Sequence, residues 1–206
     1  MSVDYPVSLK IDYPDRNLNR LTSFFRIFTV IPILIVLLLL VGSSFQMGSK
    51  EAGTVVSGVG LIMLPLVLML LFRRKYPKWW YDWNLNLSKF CYRVASYLYL
   101  MSDVYPSTDE EQNVQLEMPY PDAAGLNRWL PLVKWFLAIP HIIVLCFLWV
   151  AALVVIIIAW FAILFTGRFP RNLFDFLLGV MRWGFRVMCY AMIMITDKYP
   201  PFALDT

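Results

Sequence analysis

The chain has few of the side chains from which most catalytic and metal sites are built. It contains one histidine and three cysteines among 206 residues, and charged residues make up only 16%. Cys91, Cys146 and Cys189 lie far apart, so no Cys-x-x-Cys or Cys/His spacing for a metal or redox centre is present. The sequence also lacks a His-Glu-x-x-His motif and a phosphate loop with its lysine. We therefore expect no cofactor, no metal site and no enzyme activity.

Apolar residues are abundant instead. They make up 60% of the chain, and the mean hydropathy is +0.63. A soluble domain of this length has too little interior to bury that much apolar surface, so the composition predicts an integral membrane protein. The net charge of +4 comes from basic residues that flank hydrophobic runs. This placement favours anionic lipid head groups over nucleic acid as the partner.

An internal repeat organises the chain. The same short motifs recur in the same order, about 107 residues apart in the first half of the repeat and about 93 apart in the second. The matches are 13–15 (Tyr-Pro-Asp) with 120–122, 18–20 (Leu-Asn-Arg) with 126–128, 31–32 (Ile-Pro) with 139–140, 72–82 with 165–175, Arg93 with Arg186, Tyr97 with Tyr190, and Tyr105-Pro106 with Tyr199-Pro200. The sequence predicts two tandem units, residues 1–107 (unit one) and residues 108–206 (unit two).

Each unit begins with a short strand. Val7, Leu9 and Ile11 alternate with polar residues, as do their counterparts Val114, Leu116 and Met118 in unit two, which is the period of a half-buried strand. If the strands lie on the same side of the membrane, they can pair into a small sheet.

A hydrophobic hairpin is predicted to follow in each unit. In unit one, spans at about 24–41 and 59–72 flank a loop rich in glycine and serine. In unit two, the run 135–166 holds one potentially charged residue, His141. A straight helix of that length would reach about 48 Å, well beyond one bilayer crossing. We therefore expect a tight hairpin of two short helices there.

Each unit ends in a predicted amphipathic helix, at about 79–101 and about 172–196. Polar residues at intervals of four, three and four mark one face, and aromatic and aliphatic residues the other. Such a helix can lie in the membrane interface, which we prefer. The alternative is that it packs against the hairpins with its polar stripe inward.

The basic residues orient this arrangement. With two crossings per unit, Lys50 is the only one of 18 basic residues on the far side of the membrane. The predicted fold is thus mainly α-helical and multi-pass, with four spans and both termini cytoplasmic.

Candidate site residues are charged groups near the ends of the spans. We expect contacts with lipid phosphate or with a partner from a basic set, and ion pairs between the units from Asp82 with Arg186 and from Asp175 with Arg93. His141, with no second ligand nearby in sequence, is interpreted as structural. The basic set is Arg73, Arg74, Lys75, Lys89, Arg93, Arg168, Arg171, Arg182 and Arg186.

Several of these motifs together resemble an uncharacterised bacterial membrane family, a domain of unknown function. Unit two carries them as Leu126-Asn127-Arg128, Ile139-Pro140, the segment 168–171 (Arg-Phe-Pro-Arg) and the segment 197–202 (Asp-Lys-Tyr-Pro-Pro-Phe), whereas unit one ends differently, in Tyr105-Pro106-Ser107. The resemblance implies the inner membrane of a bacterium and brings no catalytic residues.

Three functions are open at this point. The first is a non-catalytic accessory or scaffold subunit, or a protein that interacts with the lipid surface, in contact with another membrane protein or a second copy. The second is a small transporter, channel or lipid mover, since repeats often frame a pathway. The third is a membrane enzyme acting on lipids.

Overall fold

The computed structural model describes residues 5–14, 18–41, 66–73, 75–108, 110, 112–123 and 125–205. The predicted loop 42–58, the first part of the predicted span 59–72 and Arg74 lie outside these ranges. The described part is mainly helical, with a two-stranded sheet. Its elements are β1 (Ser8–Ile11), α1 (Arg20–Thr29), α2 (Ile31–Val41), a π-helical segment (Met69–Arg73), α3 (Lys78–Leu98), β2 (Val114–Glu117), α4 (Leu130–Thr166) and α5 (Arg171–Ala191).

Both predicted strands are present, and they pair with each other. They run antiparallel, with Leu9 opposite Leu116 at the middle of the register. These two side chains are buried, whereas Lys10 and Glu117 on the other face are exposed. The alternation of apolar and polar residues therefore selects the face that packs on the helices.

Backbone chemistry sets the helix ends. Helices α3 and α5 each follow an extended proline at the N-cap, Pro77 and Pro170. Proline has no N–H to leave unpaired at a helix start, so it fits there. Helix α4 ends at Gly167, whose φ of 74° is left-handed and closes the helix with a hydrogen bond to Ile163.

The predicted hairpin at 135–166 is wrong. Helix α4 is one continuous helix of 37 residues, with Pro140 inside it. No glycine or proline follows Pro140 before the helix ends, so the chain has no residue that favours a reversal. One buried stripe also runs along almost the whole helix, so other elements pack along nearly its full length. The four-span topology counted two crossings here, and it is not retained.

The predicted first span is a bent pair of helices. Helices α1 and α2 meet at an angle of 43° around Val30. Pro32 follows the bend, and a proline removes one helical hydrogen bond and crowds the preceding turn. The same Ile-Pro motif thus breaks the helix in unit one and is accommodated within α4 in unit two.

The preferred interfacial position of the amphipathic helices is wrong for α5. More than half of its residues are buried, on all sides of the helix. Arg182 on one side donates its Nε–H to the Leu9 carbonyl of β1 at 2.9 Å. Trp183 and Val187 pack with Leu145 of α4. Helix α5 therefore lies between the strand pair and α4, with Arg182 and Arg186 of its polar stripe turned toward the protein, as in the alternative prediction, and with Asp175 exposed.

Candidate functional site

Helix α4 presents an apolar surface along its whole length. Its buried residues form a single stripe, and the remaining positions are exposed or half-buried and almost all apolar, including Phe136, Phe147 and Phe165, which are 70%, 74% and 78% exposed. Among the described residues it is the one single helix that is long and apolar enough to cross a membrane, and only 17% of its most apolar window is buried. A core helix of a soluble protein would be mostly buried. The stripe consists of Pro131, Lys134, Ala138, His141, Leu145, Ala152, Ala159 and Ile163.

Helices α1 and α2 contribute a second exposed apolar surface. Phe24 stacks on Trp160 of α4, and the Trp160 indole N–H donates to the Ser23 carbonyl at 3.1 Å. Phe28 and Ile35 are 67% and 53% exposed. Exposed apolar surface of this extent marks a site of contact with lipid or protein. We call the exposed residues of α1, α2 and α4 the apolar face.

Beneath this face, a buried ion pair ties α1 to the segment after α3. Arg26 is 3% exposed, and its Nη2 lies 2.5 Å from Oδ1 of Asp103. The same guanidinium donates from Nη1 to the Tyr97 carbonyl at 2.9 Å and lies over the Tyr97 ring at 4.5 Å. The other carboxylate oxygen of Asp103 accepts the backbone N–H of Asn19 at 3.0 Å. The start of α1 is therefore fixed by a buried polar cluster.

The same arrangement ties α4 to the segment after α5. Lys134 is fully buried, and its Nζ lies 2.8 Å from Oδ1 of Asp197. The ammonium also donates to the Thr196 carbonyl at 2.8 Å and lies 5.1 Å from the centroid of the Tyr190 ring. Oδ2 of Asp197 accepts the Asn127 backbone N–H at 2.5 Å. The side-chain Oδ1 atoms of Asn19 and Asn127 each accept the backbone N–H of the residue two positions later, at 3.0 Å in both units.

These four charged residues were not among the predicted site residues. A signal for them is present in the sequence, because Arg26 and Lys134 occupy matched positions of the predicted repeat, as do Asp103 and Asp197. A charge that stays buried without its partner is energetically unfavourable, so removing one member of a buried ion pair destabilises a protein by about 3–5 kcal/mol. The two ion pairs hold the apolar face on the rest of the molecule.

The predicted basic set does not come together as one site. Arg73, Lys75, Arg168 and Arg171 are exposed, and Lys89 and Arg182 are half-buried. Arg93 and Arg186 are buried, and they donate to loop carbonyls, to Ser107 at 2.9 Å and to Ala203 at 2.5 Å. Arg74 lies outside the described residues.

Among the described residues, the structure does not bring the predicted ion-pair partners of the two units together. Asp175 lies 3.6 Å from Arg171 on its own helix, and both side chains are exposed. Asp82 is exposed and is not within ion-pair distance of Arg186 in the part of the chain that the structure describes. The arginines that helical spacing predicted as partners face inward, toward carbonyl groups of the loops.

His141 lies in an aromatic cluster. Its Nδ1 accepts the Trp183 indole N–H at 3.1 Å, and its ring stacks on Phe202 with centroids 3.9 Å apart. Within the described ranges, no three metal-ligating side chains group together. Burial raises the pKa of the Cys189 thiol, so the reactive thiolate is scarce there.

Comparison with known proteins adds one match. Residues 129–203 match the model of a family described as a domain of unknown function, DUF4389. The match begins just before α4, includes α5 and ends after Phe202, so it supports an uncharacterised domain family for this part of unit two. No curated protein and no solved structure matches the chain.

Proposed function

We propose that this chain is a non-catalytic membrane protein whose apolar face lies in lipid and whose other side presents a polar platform. It acts there as an accessory or scaffold subunit, or as a protein that interacts with the lipid surface. The observation that carries the proposal is the exposed apolar surface of α4 over 37 residues, with charged groups on the side of the strand pair.

We further propose that α4 lies along the membrane rather than across it. Its length of about 55 Å exceeds the 40–45 Å of a bilayer with its head groups. Helix α5 runs antiparallel beside it, since the Ala191 carbonyl accepts the Trp135 indole N–H near the start of α4 at 2.9 Å.

The position of the charged groups supports the same orientation. Arg182, at the middle of α5, bonds to Leu9, and Lys10 next to it is exposed. A crossing α4 would carry these groups toward the bilayer centre, where each basic residue costs at least about 2.5–3.5 kcal/mol. With α4 parallel to the surface, they face water.

The proposal includes a tandem duplication. Leu9 and Leu116, which pair at the centre of the sheet, are repeat counterparts, and so are Tyr92 and Phe185, whose rings meet at 5.4 Å. Contacts between counterparts are expected along a pseudo-twofold axis. We infer such an axis, perpendicular to the sheet, which would relate the two ion pairs and put both units on the same side of the membrane. The excess of arginine and lysine makes that side cytoplasmic in a bacterial inner membrane.

Two charges placed on the apolar face test the membrane contact. We expect the double variant Phe147→Asp/Phe161→Asp to lose at least about tenfold in partition into vesicles that contain phosphatidylglycerol, because each charge would enter hydrocarbon. The control variant Gln115→Asp/Asn86→Asp adds the same charge at exposed positions of the polar side and should partition like wild type. Equal flotation of both variants with vesicles would contradict the proposal.

The scaffold role has a separate test. Purification from native membranes in a mild detergent is expected to retain a stoichiometric companion, either another membrane protein or a second copy. A lone monomer in native membranes would contradict the role as a subunit and leave lipid contact as the function.

A further inference from the structure

An apolar cavity lies between α3, α4 and α5. Its volume is about 370 Å³. Aliphatic and aromatic side chains line it, among them Tyr92 of α3, Tyr99 just after α3, Leu145 and Trp149 of α4, and Met181 of α5. None of its lining residues carries a charged side chain. Apolar cavities less than half this size stay dry and take up hydrocarbon molecules.

Gly184 of α5 marks the cavity as open space. A Cβ built on Gly184 meets no atom within 4 Å, whereas one built on Gly179 would come within 2.9 Å of the Leu204 Cβ. Glycine inside a helix costs about 1 kcal/mol relative to alanine. At Gly179 a close approach of the C-terminal segment accounts for the residue. At Gly184 no neighbour does, and the missing side chain simply enlarges the cavity.

The cavity is continuous with the apolar face. Ile142 and Trp149 belong to its wall and are also 48% and 53% exposed on α4. A hydrocarbon chain in the adjoining lipid therefore reaches the cavity without crossing a polar layer. A free fatty acid drawn in whole would bury its carboxylate without a cation, because the lining is uncharged.

We propose that the cavity holds one acyl chain of a membrane phospholipid, whose head group stays at the membrane surface. The proposal rests on the proposed contact of the apolar face with lipid, and it adds a defined lipid site to that surface. Photocrosslinking tests this proposal. The protein is placed in nanodiscs that contain a phospholipid with a diazirine on one acyl chain, and the crosslinked residues are identified by peptide mapping.

We expect crosslinks at Met181 and Met188 inside the cavity as well as at Phe147 on the outer surface. The variant Gly184→Leu fills the cavity and should lower the inner crosslinks about tenfold, because the leucine side chain and an acyl chain cannot occupy the same space. Ala95→Leu fills it from α3 and should act in the same way. The control Ala151→Leu adds an equal side chain on the exposed side of α4 and should leave the inner crosslinks unchanged.

The possible outcomes separate the two proposals. Inner crosslinks that persist in both filled variants, or that are absent in wild type while Phe147 reacts, overturn the lipid site and leave the membrane contact intact. No reaction at Phe147 in any variant means that the membrane contact itself is wrong. Inner crosslinks from a diazirine fatty acid and none from the phospholipid overturn the assignment to phospholipid.

Discussion

Unit one and unit two build the same polar anchor under helices of different form. In both, an aspartate accepts the backbone N–H of an asparagine and pairs with a buried cation that lies against a tyrosine ring, but the cation is Arg26 in one unit and Lys134 in the other. The helix above bends by 43° in unit one and runs unbroken for 37 residues in unit two. The ion pair therefore fixes where the helix starts in both units, whereas the residues that follow decide whether the helix bends or continues unbroken.

Removing a carboxylate from either anchor is expected to have the largest effect. Asp103→Ala leaves the Arg26 guanidinium buried and without its counter-ion, so we expect a loss of about 3–5 kcal/mol in the free energy of unfolding. Asp197→Ala should cost less, because Asp197 is more exposed, at 25% against 13% for the side chain of Asp103. Equilibrium unfolding in detergent micelles measures both.

The exposed pair of Asp175 with Arg171 supplies the control. Asp175→Ala should change the free energy of unfolding by about 1 kcal/mol or less, as is usual for surface pairs. If Asp103→Ala lowers the free energy of unfolding no more than Asp175→Ala does, the buried ion pairs do not stabilise the fold, and this interpretation is contradicted.

The two units also differ at one matched contact beneath the helices. Unit two has the hydrogen-bonded pair of His141 with Trp183, where unit one packs Ile33 with Phe90. His141→Ile should cost about 1–3 kcal/mol, because it leaves the buried Trp183 N–H unpaired. Adding Trp183→Phe installs the apolar pair of unit one, and the double variant should lose less than the sum of the two single losses. Strict additivity in a double-mutant cycle would contradict this interpretation.

The smallest expected difference concerns a glycine. Gly179 is packed against Leu204 in unit two, and its counterpart Asn86 in unit one is exposed. Gly179→Ala should cost about 0–2 kcal/mol, because overpacking of about 1–3 kcal/mol is partly offset by the gain of about 1 kcal/mol in helix propensity, and Asn86→Ala should be close to neutral. Thermal unfolding of the two variants compares them. Because the nearest atom to the added methyl group is the Leu204 Cβ, Gly179→Ala should cost less in a Leu204→Gly background than in wild type, and an equal cost in both backgrounds would point to a different cause.

Local patterns were sufficient to predict the strands and the regions of the helices. Val7, Leu9 and Ile11 alternate strictly, and the strand forms where that alternation predicts it. The long apolar run of unit two was misinterpreted because its length was judged against a perpendicular bilayer crossing. A helix that lies along the membrane is not subject to that limit, and a run without turn residues after Pro140 favours an unbroken helix.

Long-range pairing was the part that periodicity did not reveal. Helical spacing identifies which residues share a face, but it does not say what that face meets. Helical spacing assigns Arg93 and Arg186 to acidic partners on the other unit, although the guanidinium groups bond to loop carbonyls that follow their own helices. Arg26 and Asp103 are 77 residues apart, a separation at which no local pattern signals contact.

The orientation of α4 is the central claim, and labelling of its two ends tests it most directly. Cysteines at Arg128 and Asn172, introduced one at a time into a chain with its native cysteines replaced by alanine, are exposed to a membrane-impermeant maleimide in sealed vesicles of known orientation. If α4 lies along the membrane, both positions react from the same side. Reaction of the two positions from opposite sides would show that α4 crosses the bilayer and would contradict the account.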